Sequence, residues 1–248
     1  MSKNDPAPDA EPASTEPPVS WREQAVARSL DTARVRAENR VQRFLDAALE
    51  LMNEGGSDKD FTVQEVVERS GSSLRSFYQY FDGKHELLLA LFEESVRSTT
   101  ELLRAKVSKE DDALGRLHCF VVEYYRLCRP SSRAGGAKAP SKKTPVAPVM
   151  MDFAQQLLTG HPTEAALAFA PLVTLFGEVL DDAAAEGAIR AGLRHGPIAG
   201  VVLESIMFNA FSTTIGGTST GAATAADAVD PAEELWDLIF HGIGAPGT

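Results

Sequence analysis

The chain has 248 residues, 44% of them hydrophobic and 7% aromatic, with a formal net charge of −11. That length supports one large domain or two small ones, each with a real core. No apolar run approaches the roughly 18 residues needed to span a bilayer, and the acidic, Pro-rich start lacks the apolar core of a signal or transit peptide, so a cytoplasmic protein with no membrane partner is expected.

The charge is uneven. Residues 1–20 carry −3, residues 21–109 carry 14 basic and 15 acidic groups (−1), and residues 110–248 carry 9 and 16 (−7). Between Trp21 and Leu45 six arginines stand against three acids. Local rather than total charge decides whether a surface can approach phosphates.

In chain order, residues 1–20 are Pro, Ala and Glu rich and are expected to be disordered. Trp21 to Glu54 has helical spacing, with Val41, Phe44, Leu45, Ala48 and Met52 on one stripe and Gly55-Gly56 as the stop. Thr62 and Glu65 have capping-box spacing and open a short helix that Gly71 ends. Ser73 can cap a second short helix from Leu74 to about Phe81. Asp82-Gly83 breaks it, and an amphipathic helix follows from Lys84 to about Lys106. Further helices are expected at about 111–128, 146–158, 163–187, 197–215 and 231–242. The connection 129–148 holds four prolines, five basic residues and no acidic one, and reads as a mobile loop; "GGTSTGAATAADAVD", 216–230, reads as a second flexible connection. Strand-like runs are scarce, so the fold class is all-α. Cys119 and Cys128, nine apart on one helix, fall on opposite faces and read as thiols rather than a bridge.

Two short helices joined by a Gly-containing turn make a helix-turn-helix, whose second helix can enter the DNA major groove. Phe77 and Phe81 share a face and should pack inward. Tyr78 and Tyr80 point elsewhere and suit contacts to the phosphate backbone. Leu74, Arg75, Ser76 and Gln79 occupy the remaining exposed positions, where Arg75 suits guanine and Gln79 adenine. Lys84 opens the next helix, where its ammonium and free amides can hold one phosphate. Ser73, Thr62 and Gln64 complete the DNA-binding candidates; capping alone would also explain Thr62. Arg34, Arg36, Arg40 and Arg43 form either a basic arm reaching the adjacent groove or a solvated helix face.

Gly71, Ser73, Ser76, Phe77, Tyr78, Tyr80, Phe81, Lys84, Leu87 and Leu88 together resemble the DNA-binding region of the tetracycline-repressor (TetR) family of bacterial regulators. The likeness covers about residues 38–95. Ser72 departs from it, standing where a small apolar residue is usual, and so does Gly83, where Asn, Ser or Asp is common. The resemblance implies a homodimer on a roughly palindromic double-stranded operator. It also implies a helix-turn-helix domain over 21–108 and a helical ligand-binding and dimerisation domain over 109–248. The C-terminal half resembles the family loosely, through "DDAAAEGAIRAGL" and "PAEELWDLIFHGIG". On that basis Ile206, Phe208, Leu235, Trp236 and Ile239 are interface candidates.

His118, Tyr124, Tyr125, Phe153, Phe169, Phe176, Met207 and Phe211 lie on helices expected to face one another. They form either plain core or the wall of a cavity for a small-molecule effector. Glu178, Glu204 and Asn209 are polar groups within otherwise apolar helices, each a ligand anchor or a solvent-facing residue. His118 beside Cys119 lacks companions at metal spacing, so no metal and no cofactor are expected. No catalytic triad, carboxylate pair or phosphate-binding glycine loop is present. The leading expectation is a dimeric transcriptional repressor relieved by a hydrophobic or acyl-type effector. A helical carrier or enzyme without DNA binding, and an effector-free regulator controlled by a protein partner, stand as alternatives.

Overall fold

The computed structural model describes residues 20–55, 60–129, 150–190, 192–216 and 230–243. The N-terminal tail and most of the 129–148 and 216–230 connections, on which expectations of disorder or mobility rested, lie outside the described residues. The described elements are α1 (Trp21–Gly55), α2 (Val63–Arg69), α3 (Leu74–Phe77), α4 (Lys84–Val107), α5 (Ala113–Cys128), α6 (Met151–Gly160), α7 (Pro162–Ala185), α8 (His195–Gly216) and α9 (Pro231–Ile243). The all-α fold follows, with an N-terminal helix-turn-helix and a helical C-terminal domain. The chain divides into two units, residues 1–43 and 44–248.

In the first unit, α1 begins at a capping box. Ser20 Oγ accepts from Glu23 N at 3.2 Å, and the Glu23 carboxylate accepts from Ser20 N at 2.9 Å. Trp21, Val26, Leu30 and Val35 are exposed. Arg34 pairs with Glu38 one turn on, at 2.7 Å. Arg36 and Arg43 are exposed.

In the second unit, α1 contributes Phe44, Leu45, Ala47, Ala48 and Met52 to a small core. Phe44 meets Phe77 edge-on at 5.4 Å and Phe81 at 6.1 Å, and Phe77 and Phe81 lie 5.4 Å apart. Three rings in mutual edge or tilted contact bury much apolar area in few residues, which lets so short a pair of helices hold its shape. Arg69 ties α2 to α1 through both Glu54 oxygens, at 2.8 and 2.7 Å.

Below the head, α4 runs unbroken into the C-terminal helices and packs on α5 and α7; α5 also packs on α8 and α9. Leu87, Leu91, Phe92, Val96, Leu103 and Val107 supply the buried stripe of α4. Pro162 opens α7, where its missing N–H costs nothing. The helix ends at Gly187, whose φ of +74° a side chain would resist. α7 is long and apolar enough to cross a bilayer by composition alone. Its Ala165, Leu172, Phe176, Val179 and Leu180 are buried, and it packs on α4, α5, α6 and α8, which accounts for that apolarity as core.

Candidate nucleic-acid interface and helical cavity

The head is built by caps. Thr62 Oγ1 accepts from Glu65 N at 3.2 Å, and the Glu65 carboxylate accepts from Thr62 N at 2.7 Å. This is the full capping box expected from the spacing. Gly71 takes φ +62°, and Ser72 N donates to Val67 O at 3.0 Å, closing the end of α2. Ser73 Oγ then accepts from Ser76 N at 3.2 Å and opens α3. α3 proper ends at Phe77, sooner than the spacing suggests. Phe81 N still donates to Phe77 O at 3.0 Å, so the turn that follows keeps helical bonding.

The candidate DNA-facing residues fall into two groups. Leu74, Arg75, Tyr78 and Gln79 are exposed, Tyr78 to 57% although its ring leans on Phe77 at 5.4 Å. Arg75 has no hydrogen-bond or ion-pair partner among the described residues. Tyr80 is half-buried. The other side chains are already engaged. The Thr62 and Ser73 hydroxyls serve the caps, and Gln64 Nε2 donates to Glu68 Oε1 at 2.8 Å. Ser76, expected on the exposed face, instead has its Oγ buried without a partner. It precedes the fully buried Phe77 on a one-turn helix, and the edge of the inner face takes it in.

Lys84 has a structural task that the sequence does not announce. Its ammonium donates to the Asp60 carboxylate and, at 2.7 Å, to the Phe61 carbonyl, and it lies 4.3 Å from the centre of the Phe61 ring. Lys84 thus fastens the first turn of α4 to the entry of α2. Its hydrogen bond, chiefly, and then its charge hold the Asp60 carboxyl below the ordinary value of 3.8.

A cavity of about 460 Å³ opens between α5, α6, α7 and α8. Leu158, Phe169, Val173, Leu203 and Met207 give it an apolar wall, Ala165, Ala166, Ala170 and Gly200 give it room, and Tyr124, Thr174 and Glu204 are its polar groups. Tyr124, Phe169 and Met207 also border a narrow inner space lined by Phe92, Val96 and Thr99 of α4. Thr99 Oγ1 is buried there without a hydrogen-bond partner. Burial pushes the Cys128 thiol up to about 12, and it raises Tyr124 well above its usual range. Both therefore present neutral, protonated groups to this space.

Of the cavity candidates, Tyr124, Phe169 and Met207 line it. His118 does not. Its Nε2 pairs with Glu233 at 2.7 Å and its ring meets Trp236 at 5.0 Å, which fixes α5 to α9. Phe176 stacks on Phe120 at 4.6 Å in the core, Phe153 lies against His85 and Phe92, and Tyr125 is fully buried away from the cavity. The side chain of Phe211 lies outside the described residues. Glu204 lines the cavity, Glu178 pairs with Arg104 at 2.9 Å, and Asn209 is exposed. The small residues of the wall escape a search for large side chains, although Ala166 and Ala170 recur at helical spacing and could have signalled it.

The interface candidates divide in the same way. Ile206 is fully buried within the single chain, and Leu235 and Trp236 nearly so, Trp236 stacking on Phe240 at 5.0 Å. They hold α8 and α9 onto α5 and have little surface left for a second chain. Ile239 is half-buried. Phe208 remains exposed, together with Val201 and Leu238, which sequence reasoning missed.

Residues 44–91 match the family model described as bacterial regulatory proteins, tetR family. Over 88 residues the chain is 26% identical to an uncharacterised HTH-type transcriptional regulator, YvdT, of Bacillus subtilis (strain 168); the match covers 36% of this chain and 45% of that protein. Among solved structures, the regulator FadR from Bacillus subtilis in complex with stearoyl-CoA is similar at TM-score 0.59 and 17% identity, covering 82% of this chain and 98% of that one. A TetR family transcription regulator from Marinobacter aquaeolei VT8 is similar at TM-score 0.55 and 16% identity, covering 85% and 98%. A gamma-butyrolactone receptor described as ArpA-like gives 0.50 and 17%, covering 86% and 91%. At these identities the structural likenesses show the fold alone.

Proposed function

We propose that this chain, whose residues 44–91 match the tetR family model, is a transcriptional regulator of that family and works as a homodimeric repressor released by a small apolar effector. One observation carries the reading. A largely apolar cavity within the usual size range of ligand sites, about 300–1,000 Å³, shares Tyr124, Phe169 and Met207 with a narrow space bordered by the middle of α4, whose first turn grips the head through Lys84. An occupant that favours one placement of α4 would favour one placement of the recognition helix. Coupling requires only that the effector bind the two arrangements with different affinity.

In this reading residues 21–108 form the DNA-binding region and 109–248 the effector and dimer region of a cytoplasmic protein. α3 of each protomer enters successive major grooves of a roughly palindromic operator. Tyr78 and Lys84 hold the backbone, and Arg75 and Gln79 meet base edges. Val201, Phe208 and Leu238 lie on the dimer face. The wall composition suits an alkyl or acyl chain, with Tyr124, Thr174 and Glu204 as the polar groups that could anchor its head. The stearoyl-CoA complex of the similar regulator supports an acyl-type effector here.

The test begins with selection of binding sites from random duplex DNA at controlled salt. A two-fold symmetric site is expected. Acyl-CoA thioesters and free fatty acids of graded length are then titrated against the bound operator. Release by one chain-length class is expected, and Ala170→Phe, which narrows the cavity, should abolish that release while leaving operator affinity intact. Absence of any enriched site would sink the DNA-binding reading. Release unchanged in Ala170→Phe would sink the assignment of the cavity.

A further inference from the structure

The sequence reading found no metal ligands at short spacing, but the fold assembles a set across long spacing. His85 stands in the first turn of α4, His161 at the elbow between α6 and α7, and Glu164 in the first turn of α7. His85 Nε2 lies 2.8 Å from Glu164 Oε2, a residue 79 positions away, and His161 Nδ1 lies 3.5 Å from Glu164 Oε1. One donor atom from each of the three falls within 4.8 Å of the others. The two imidazole rings face one another at 4.7 Å, and the Phe153 ring lies 5.7 Å from His85.

We propose that His85, His161 and Glu164 bind a divalent transition-metal ion of the zinc class, which ties the first turn of α4 to the α6–α7 elbow. Two imidazoles and one carboxylate are a usual three-ligand set for zinc, with water completing a tetrahedron. Bonds of about 2.0–2.2 Å separate tetrahedral ligands by about 3.3–3.6 Å. The 2.8 and 3.5 Å separations run to different oxygens of Glu164, and one donor from each residue lies within 4.8 Å of the others, so seating an ion requires side-chain adjustments of up to about 1.5 Å. All three side chains are partly exposed, which leaves an entry path and room for the water.

The partners of Glu164 sharpen the case. A carboxylate with a structural role usually meets Lys or Arg. Among the described residues Glu164 meets only these two imidazoles. Imidazole donors favour zinc, copper and nickel over magnesium or calcium. The site is distinct from the effector cavity, although Pro162 and Ala165, on either side of Glu164 in the chain, line that cavity.

The full-length chain is stripped with chelator and titrated with zinc chloride by calorimetry, and with cobalt(II) by visible absorption. The background is Cys119→Ser, to remove the more accessible thiol. One equivalent per chain is expected, with cobalt bands of tetrahedral N/O type and a zinc-dependent rise in the thermal midpoint. His161→Ala and His85→Gln, each checked for unchanged helical content, should each weaken uptake by more than the about tenfold that losing even an outer-shell partner costs. No saturable uptake, or uptake indifferent to both substitutions, overturns the site. None of these readouts involves DNA, so their failure is separable from failure of the regulator reading.

Discussion

Arg75 and Lys84 illustrate how differently two basic residues of one motif can be employed. Arg75 is exposed, unpartnered among the described residues, and one position into α3, so its fork is available for a base pair. Replacing it with Ala should relax preference at one or two operator positions by about 1–3 kcal/mol without altering the thermal midpoint, as a binding-site selection beside a melting curve would show. Lys84, by contrast, spends its ammonium on Asp60 and the Phe61 carbonyl, and its loss should reach both stability and DNA affinity. The Asp60 carboxyl is depressed in the folded chain, so its contribution is complete above the unfolded value near 3.8 and is lost as pH falls through the lower folded value. Comparison of Asp60→Asn with the parent should therefore show a small stability deficit above about pH 4 that closes in stronger acid. It is small because the Asp60 side chain is 88% exposed and well screened by water. Unfolding curves across that range decide the point.

At the scale of elements, the turn between α2 and α3 sets the angle at which α3, the proposed recognition helix, is presented. Gly71 holds φ +62°, and a Cβ there would meet nothing within 4 Å. The cost of Gly71→Ala is thus conformational rather than steric, about 1–2 kcal/mol for placing an L-residue in the left-handed region. Thermal unfolding should show that loss, and Gly71→Asn, which tolerates this conformation better, should recover part of it. α4 is the other decisive element. It borders the narrow space beside the cavity at Phe92, Val96 and Thr99 and reaches the head at Lys84. The helix names neither task in its periodicity, because one amphipathic stripe serves head, cavity and core alike.

At the scale of the whole molecule, α8 and α9 each present apolar side chains to solvent. Val201 is 65% exposed, Leu238 72% and Phe208 37%. Exposed apolar residues mark an association face when they cluster, and Val201 and Phe208, seven apart on α8, share one side of that helix. Val201→Glu with Leu238→Glu should convert the proposed dimer to monomer in sedimentation velocity, with helical content unchanged. Operator affinity should fall with it, since two half-sites are then bound independently. The same double substitution at Leu235 and Trp236 should unfold α9 instead, because those side chains already pack within the protomer.

Periodicity, caps and turn residues determined the helices and the head, since these depend on residues three or four apart. The Thr62–Glu65 box, the Ser73 cap, the Gly71 turn and the Phe77–Phe81 pair all required only local spacing. So did the assignment of α5, α7, α8 and α9 to within a few residues. Which face of a long helix turns inward was decided only by packing. The candidate list for the cavity therefore held three of its wall residues and several core residues, and Ile206, Leu235 and Trp236 proved internal. The Lys84–Phe61 fastening, the buried Thr99 hydroxyl and the His85–His161–Glu164 cluster were also tertiary facts. Each depends on groups far apart in the chain being brought together, and sequence spacing carries no information about distance once the chain has turned back on itself.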